Sequence, residues 1–256
     1  MEHSAGIFWD RGGYEINQDS VSFDKIILRR RVISMIVVAD GIGGLSDGEN
    51  ASGIVTGRIV KWFYLEGAYL MIRPRAEHLI KRSLERLLFS VHKELEKYAQ
   101  KTGKPLGTTC TILFVTGRKY MCAHIGDSRC MLIKEKKCGI KRFLDRASLK
   151  SRGGSWMWLT KDDVSNENEL TKCVGSMGMF RPQWRSGRIG LIDRHTRFLV
   201  CSDGFYRKTG GEMIAESLSS AAMKTSAQIE RSLGTVSKIA RNKGEADNIT
   251  AVCIVT

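Results

Sequence analysis

Long apolar runs are absent from this chain: no stretch approaches the length of a membrane span, so no spanning helix is expected. Proline is scarce, at Pro74, Pro105 and Pro182 only, and no linker, low-complexity tract or internal repeat divides the 256 residues. One domain over 1–256 is therefore expected. The N-terminus, Met1 to Gly6, lacks the pattern of a secretory signal, which points to a cytoplasmic protein. The seven cysteines show no CxxC spacing, which argues against a zinc site; most lie in apolar runs and read as small buried hydrophobes. Acidic residues are the minority charge, 27 against 41 Lys+Arg, and the net charge of +14 favours acidic or phosphorylated partners. The basic residues are scattered in short runs such as Arg29 to Arg31 and Lys134 to Lys137, without interleaved aromatics, so specific nucleic-acid binding is not expected.

What is present is a series of strand-like and helix-like blocks. Ile33 to Ala39 is apolar and β-branched enough for a strand buried on both faces, and it runs into Asp40-Gly41-Ile42-Gly43-Gly44. The glycines permit a tight turn in which the Asp40 carboxylate and a main-chain carbonyl face one hard cation. The same pentapeptide also fits an ordinary turn. Ser46 to Glu49 reads as capping material for a helix carrying Ala51, Ile54, Val55, Ile59, Trp62 and Phe63, and Ala76 to Gln100 reads as a second amphipathic helix. Thr108 to Thr116, Tyr120 to Ile125 and Cys130 to Ile133 read as a β-meander, with Asp127 in a turn. Phe198 to Cys201 is another buried strand and ends in Ser202-Asp203-Gly204. Helical patterns cover Gly211 to Ala222 and Ala227 to Arg241, and Asp247-Asn248 leads into a last strand, Ile249 to Val255.

Asp40, Asp203 and Asp247 thus adjoin the ends of apolar strands, with Asp19 and Asp127 in similar turns. Converging carboxylates repel one another unless cations neutralise them. Two cations held by carboxylates and water can generate hydroxide near neutral pH and clamp a phosphoryl group, so the reaction class is phosphoester hydrolysis.

In order, Asn17-Gln18-Asp19, Asp40 to Gly44, Gly107-Thr108-Thr109, Gly126-Asp127-Ser128-Arg129, Leu170-Thr171 with Gly175, Ser202-Asp203-Gly204 and Asp247-Asn248 resemble the successive motifs of the metal-dependent PPM (type 2C) protein serine/threonine phosphatases. The compact length and the Asp-Gly-Ile-Gly-Gly form resemble the bacterial branch. The resemblance implies an α+β fold, a four-layer αββα sandwich of two antiparallel β-sheets packed face to face with helices outside. It implies two Mn²⁺ or Mg²⁺ ions, with Asp40 bridging them, the Gly41 carbonyl on the second, and Asp203 and Asp247 completing the first. Asp19 would lie in or just outside this shell, and Asp127 with Asp203 would form a third, weaker site. A metal-bridging hydroxide would attack phosphoserine or phosphothreonine directly. Phosphorylated proteins would be the substrates, a cognate Ser/Thr kinase the opposing enzyme, and the chain a monomer.

The pattern departs in places. The family usually has an arginine three residues before the first Asn, where this chain has Tyr14; Arg11, three residues earlier, is the candidate phosphate clamp beside it. Gln18 stands where many members have Glu, and Ile42 replaces the histidine that eukaryotic relatives offer as a general acid. His124 falls within a strand and reads as structural. Lys134 to Trp158 is a long basic connection, in which Trp156 and Trp158 fit a buried strand or an exposed docking patch. These departures keep a second reading open: a catalytically weak or inactive module of the same fold that binds a phosphorylated partner.

Overall fold

The computed structural model describes residues 3–42, 47–134, 155–167, 169–175, 179–190, 196–220 and 223–256. Strands β1 (Ser4–Asp10), β2 (Asp19–Leu28) and β3 (Arg31–Asp40) come first. Helix α1 (Gly48–Trp62) runs through one π-helical turn, Phe63–Gly67, into the short α2 (Ala68–Leu70), and α3 (Ala76–Thr102) packs against α1. Strands β4 (Gly107–Thr108), β5 (Cys110–Thr116), β6 (Lys119–Ile125) and β7 (Arg129–Lys134) follow. Next are β8 (Ser155–Trp158), β9 (Val174–Gly175), β10 (Gln183–Arg188) and β11 (Arg197–Cys201). The chain closes with α4 (Asp203–Tyr206), α5 (Gly211–Leu218), α6 (Ser226–Asn242) and β12 (Ile249–Val255).

Among the described residues the strands form two five-stranded antiparallel sheets, ordered β1-β12-β11-β7-β8 and β10-β6-β5-β3-β2, with β4 and β9 as a separate two-residue ladder. Alternation along the central strands builds the layers. Ile33, Met35 and Val37 of β3 pack with α1 and α3, whereas Ile36 and Val38 face the other sheet and meet Val252 and Ile254 of β12. Ile249, Ala251 and Cys253 of β12 point the opposite way, onto Ile229, Leu233 and Val236 of α6. Each such Ile or Val contributes about 1.5–3 kcal/mol by leaving water. This is the four-layer αββα sandwich that the motifs implied, and the strand buried on both faces is β3.

Three local expectations need correction. Thr108 to Ile133 is not a meander: β5 and β6 form a hairpin in one sheet, but β7 pairs with β11 in the other. The chain crosses between sheets at Gly126, whose φ of 111° is open only to glycine and where a Cβ would lie 2.6 Å from that of Thr109. Asp127 therefore sits on the seam between the sheets. Asp47 does not cap α1 through its side chain; it adopts φ 72° and its carbonyl accepts from the Asn50 and Ala51 amides, while Ser46 lies outside the described residues. Trp156 and Trp158 are half-buried on the edge strand β8, packed against the α5–α6 side, with Met157 exposed between them. Of the long basic connection, residues 135–154 lie outside the described residues, as do Gly43 and Gly44 of the first Asp-Gly motif.

The six described cysteines are buried and unbridged, and burial pushes the Cys253 thiol up to about 12.

Gly126→Ala should lower stability by about 2 kcal/mol or more, combining a left-handed backbone penalty with the Thr109 clash. Thermal unfolding checks it; an unchanged Tm would mean that the crossing is not conformationally constrained.

Candidate metal centre

The carboxylates reach one place because strand ends from both sheets coincide there. Asp19 begins β2 and Asp40 ends β3, and the two are direct cross-strand partners. Asp203 follows β11 as the first residue of α4, Asp247 lies two residues before β12, and Asp127 occupies the inter-sheet crossing. A cavity of about 800 Å³ opens on this seam, lined by Asp40, Gly41, Asp127, Asp203 and Asp247, with Tyr14 on its wall. Asp19 lies behind the lining, buried.

The short motifs act as fixings for these side chains. Thr109 accepts the Asp40 amide through Oγ1 at 2.9 Å and donates its own amide to the Asp40 carbonyl, to which Thr108 Oγ1 also donates. Thr109 in turn bonds Ser128 Oγ at 2.7 Å, joining the Gly-Thr-Thr and Gly-Asp-Ser-Arg motifs across the seam. Arg129 holds Asp162 with two hydrogen bonds of 2.8 and 2.6 Å and stacks on Tyr206, whose hydroxyl donates to the Asp127 carbonyl. Ser202 donates to Asp19 Oδ2 at 2.9 Å. Asn248 ties the first loop down: Oδ1 accepts the Gln18 amide and Nδ2 donates to the Arg11 carbonyl. Two glycines permit the close approach. A Cβ on Gly41 would meet Gly48 O at 2.5 Å, and one on Gly204 would meet Asn248 O at 2.2 Å.

The electrostatics are unfavourable without a cation. Burial raises the Asp40 carboxyl well above its ordinary range, and the charges of Asp19, Asp127 and Asp247 push it further. Burial also raises Asp19 to about 6 despite the Ser202 hydrogen bond, and its buried Oδ1 has no hydrogen-bond partner. Asp127 is raised by burial and by Asp162. Oxygen-only donors, an orphaned carboxylate oxygen and mutual repulsion fit hard divalent cations such as Mg²⁺ or Mn²⁺. Among the described residues no three acidic, histidine or cysteine side chains already close on one point. Arg207 bridges the acids instead: its guanidinium pairs with Asp203, one helical turn away, and lies 3.4 Å from Asp247 Oδ2.

The cavity thus gathers Asp40, Gly41, Asp127, Asp203, Asp247 and Tyr14, with Asp19 directly behind, and leaves Arg11 out of its lining. The exposed Arg11 side chain contacts the Glu15 carbonyl at 3.4 Å. His124 is structural: it is buried in β6, bonded to Thr111 at 2.9 Å, and absent from the lining. Arg207, which does line the cavity, is the residue that motif reading missed; its i+4 spacing from Asp203 was the available signal.

A family model for protein phosphatase 2C matches residues 11–251. The chain belongs to the protein phosphatase 2C family, a family of protein serine/threonine phosphatases. It is 26% identical over 246 residues to the protein phosphatase PhpP of Streptococcus pneumoniae, covering 93% of this chain and 91% of that one. Its fold is shared by serine/threonine phosphatase Stp1 from Staphylococcus aureus, with a TM-score of 0.76 at 21% identity over 100% of this chain and 96% of the other. The catalytic domain of the protein phosphatase PstP, solved in complex with 2 manganese ions, superposes with a TM-score of 0.71 at 22% identity over 99% and 97%.

Raised carboxyl pKa values mean that the folded, metal-free protein holds protons that the unfolded chain releases, so Asp19 weakens stability as pH rises from about 4 through about 6, and Asp40 acts in the same direction. Burial lowers His3 and His124 to about 4, which acts in the opposite sense over the same window. The test is therefore a difference: in EDTA, the Tm of Asp19→Asn minus that of the wild type should grow as pH rises from 4 to 7. A flat difference would contradict the electrostatic account.

Proposed function

We propose that this chain is a metal-dependent phosphatase that hydrolyses phosphoserine and phosphothreonine in proteins and opposes a Ser/Thr kinase. The observation that carries this reading is the convergence of Asp40, Asp127, Asp203 and Asp247 from both sheets on one cavity, in a chain of the protein phosphatase 2C family. Asp40, the Gly41 carbonyl, Asp203 and Asp247 are the groups that would hold Mn²⁺ or Mg²⁺, with Asp19 supporting from behind and Asp127 available to a third ion. When bound, two such ions activate water and neutralise phosphoryl oxygens.

The remaining work falls to the chain. Rigid strand ends and the Thr109–Ser128 contact fix where the carboxylates point, so little reorganisation accompanies the reaction. Ile42 and the buried His124 offer the cavity no acid. Arg207 is the phosphate clamp in place of the arginine missing at Tyr14: its half-exposed guanidinium lines the cavity, and its planar fork suits two phosphate oxygens. The same contact favours the second reading, a weakly active binding module, if Arg207 stays on Asp203 and Asp247 and opposes metal entry.

Purified protein should hydrolyse a phosphothreonine peptide and an aryl phosphate with Mn²⁺ and not with EDTA, and Asp40→Asn or Asp203→Asn should remove turnover by at least about 10³-fold. No turnover from folded wild type in any metal would favour the binding module.

Arg207→Ala should raise KM for aryl phosphate about tenfold with a smaller change in kcat. In EDTA it should also lower Tm, because the acids lose their bridging cation. An unchanged KM would remove Arg207 from substrate binding.

A further inference from the structure

The sheet β10-β6-β5-β3-β2 is polarised along its strands. Asp19 and Asp40 mark one end. At the other end, Arg31 begins β3, Arg118 occupies the β5–β6 turn, Lys119 begins β6 and Arg188 ends β10. Together with Arg73, from the α2–α3 connection, they line a cavity of about 390 Å³ whose wall has no carboxylate among the described residues. Ten residues of β3 separate the two ends, about 30 Å at the rise of a strand, so this cavity is distinct from the acidic one.

One feature shows positive charge concentrated here against local stability. Lys119 and Arg188 are direct cross-strand partners, and like charges placed opposite one another destabilise a pair. The adjoining β2–β3 turn puts Arg29 and Arg30 at φ 49° and 61°, in the left-handed region where such hairpins prefer Asn and Gly. The like-charge Lys119–Arg188 pair does not help the fold, and a bound anion relieves it. The wall is also not purely cationic: Met71 contributes apolar surface, and Arg73 stacks on the half-exposed ring of Tyr69 at 5.3 Å.

We propose that this basic end of the sheet is a docking site for an acidic, phosphorylated segment of a protein partner, remote from the phosphoresidue being cleaved. The choice of a phosphorylated protein rests on the phosphatase reading. A small, mixed cavity at one end of the sheet suits a side-chain phosphate and its flanking residues better than it suits a nucleic acid, which needs a continuous basic track with stacking surfaces. About ten extended residues would link the two sites, so a substrate phosphorylated at both spacings would gain affinity from simultaneous engagement.

The test uses an acidic peptide bearing two phosphothreonines, labelled for fluorescence anisotropy, with full-length protein in EDTA at low salt. Lys119→Glu turns the repulsive cross-strand pair into an attractive one, so Tm should rise by about 1–3 °C. Peptide affinity should nevertheless fall about tenfold or more, and Arg31→Glu should weaken it similarly. Turnover of a small aryl phosphate with Mn²⁺ should be unchanged in both variants. Peptide affinity unaltered by both substitutions would overturn the proposal, as would tighter, variant-sensitive binding of an RNA duplex or of anionic vesicles. Loss of peptide binding in the variants, with no aryl phosphate turnover even from wild type, would keep the docking site and overturn the phosphatase reading alone.

Discussion

Repulsion among carboxylates fixed at the ends of strands is the constraint on which the rest of the structure depends. Asp19 and Asp40 are cross-strand partners in one sheet, Asp203 and Asp247 flank strands of the other, and Asp127 lies on the crossing between them. Each is anchored through its backbone or side chain, by Thr109, Ser202, Tyr206 or a glycine contact, so the acids cannot relax apart without disturbing the sandwich. Burial, with the neighbouring carboxylates adding to it, raises the Asp40 carboxyl, and a divalent cation is the simplest chemistry that relieves the repulsion. Strain of this kind at one end of a stable scaffold is how a fold concentrates function without losing its core.

Much of this was legible in the chain. β3 reads as a strand buried on both faces because Ile33 to Ala39 offers apolar residues to both sides, and α3 declares itself through its stripe. Asp40, Asp203 and Asp247 were visible because each adjoins an apolar strand. What was hidden depends on pairing between distant segments. No local pattern says that β7 leaves the β5–β6 hairpin for the other sheet, since its Cys-Met-Leu-Ile run suits either. The placing of Arg11 outside the cavity lining was not legible either, because its loop is tied down by Asn248, 237 positions away. The triple arginine at 29–31 was plain as a charge run, but the meeting of Arg31 with Lys119 and Arg188 in one cavity wall needed the strand register.

Arg207 links the two readings of the site. As a tethered cation it stabilises the gathered acids, and as a planar fork it can hold a phosphate; both follow from its place one turn after Asp203 on α4. The opposite, basic end of the same sheet extends the logic, with Lys119 set directly across from Arg188. The sheet is acidic at one end and basic at the other, and the two clusters lie a strand's length apart.

The most direct test of the central claim is a calorimetric titration of metal-free protein with Mn²⁺. The account predicts at least two ions per folded chain, about as many as a two-metal phosphatase requires, and loss of this binding in Asp40→Asn. A folded wild-type chain that takes up no Mn²⁺ or Mg²⁺, or an Asp40→Asn variant that binds them as well as the wild type, would contradict it.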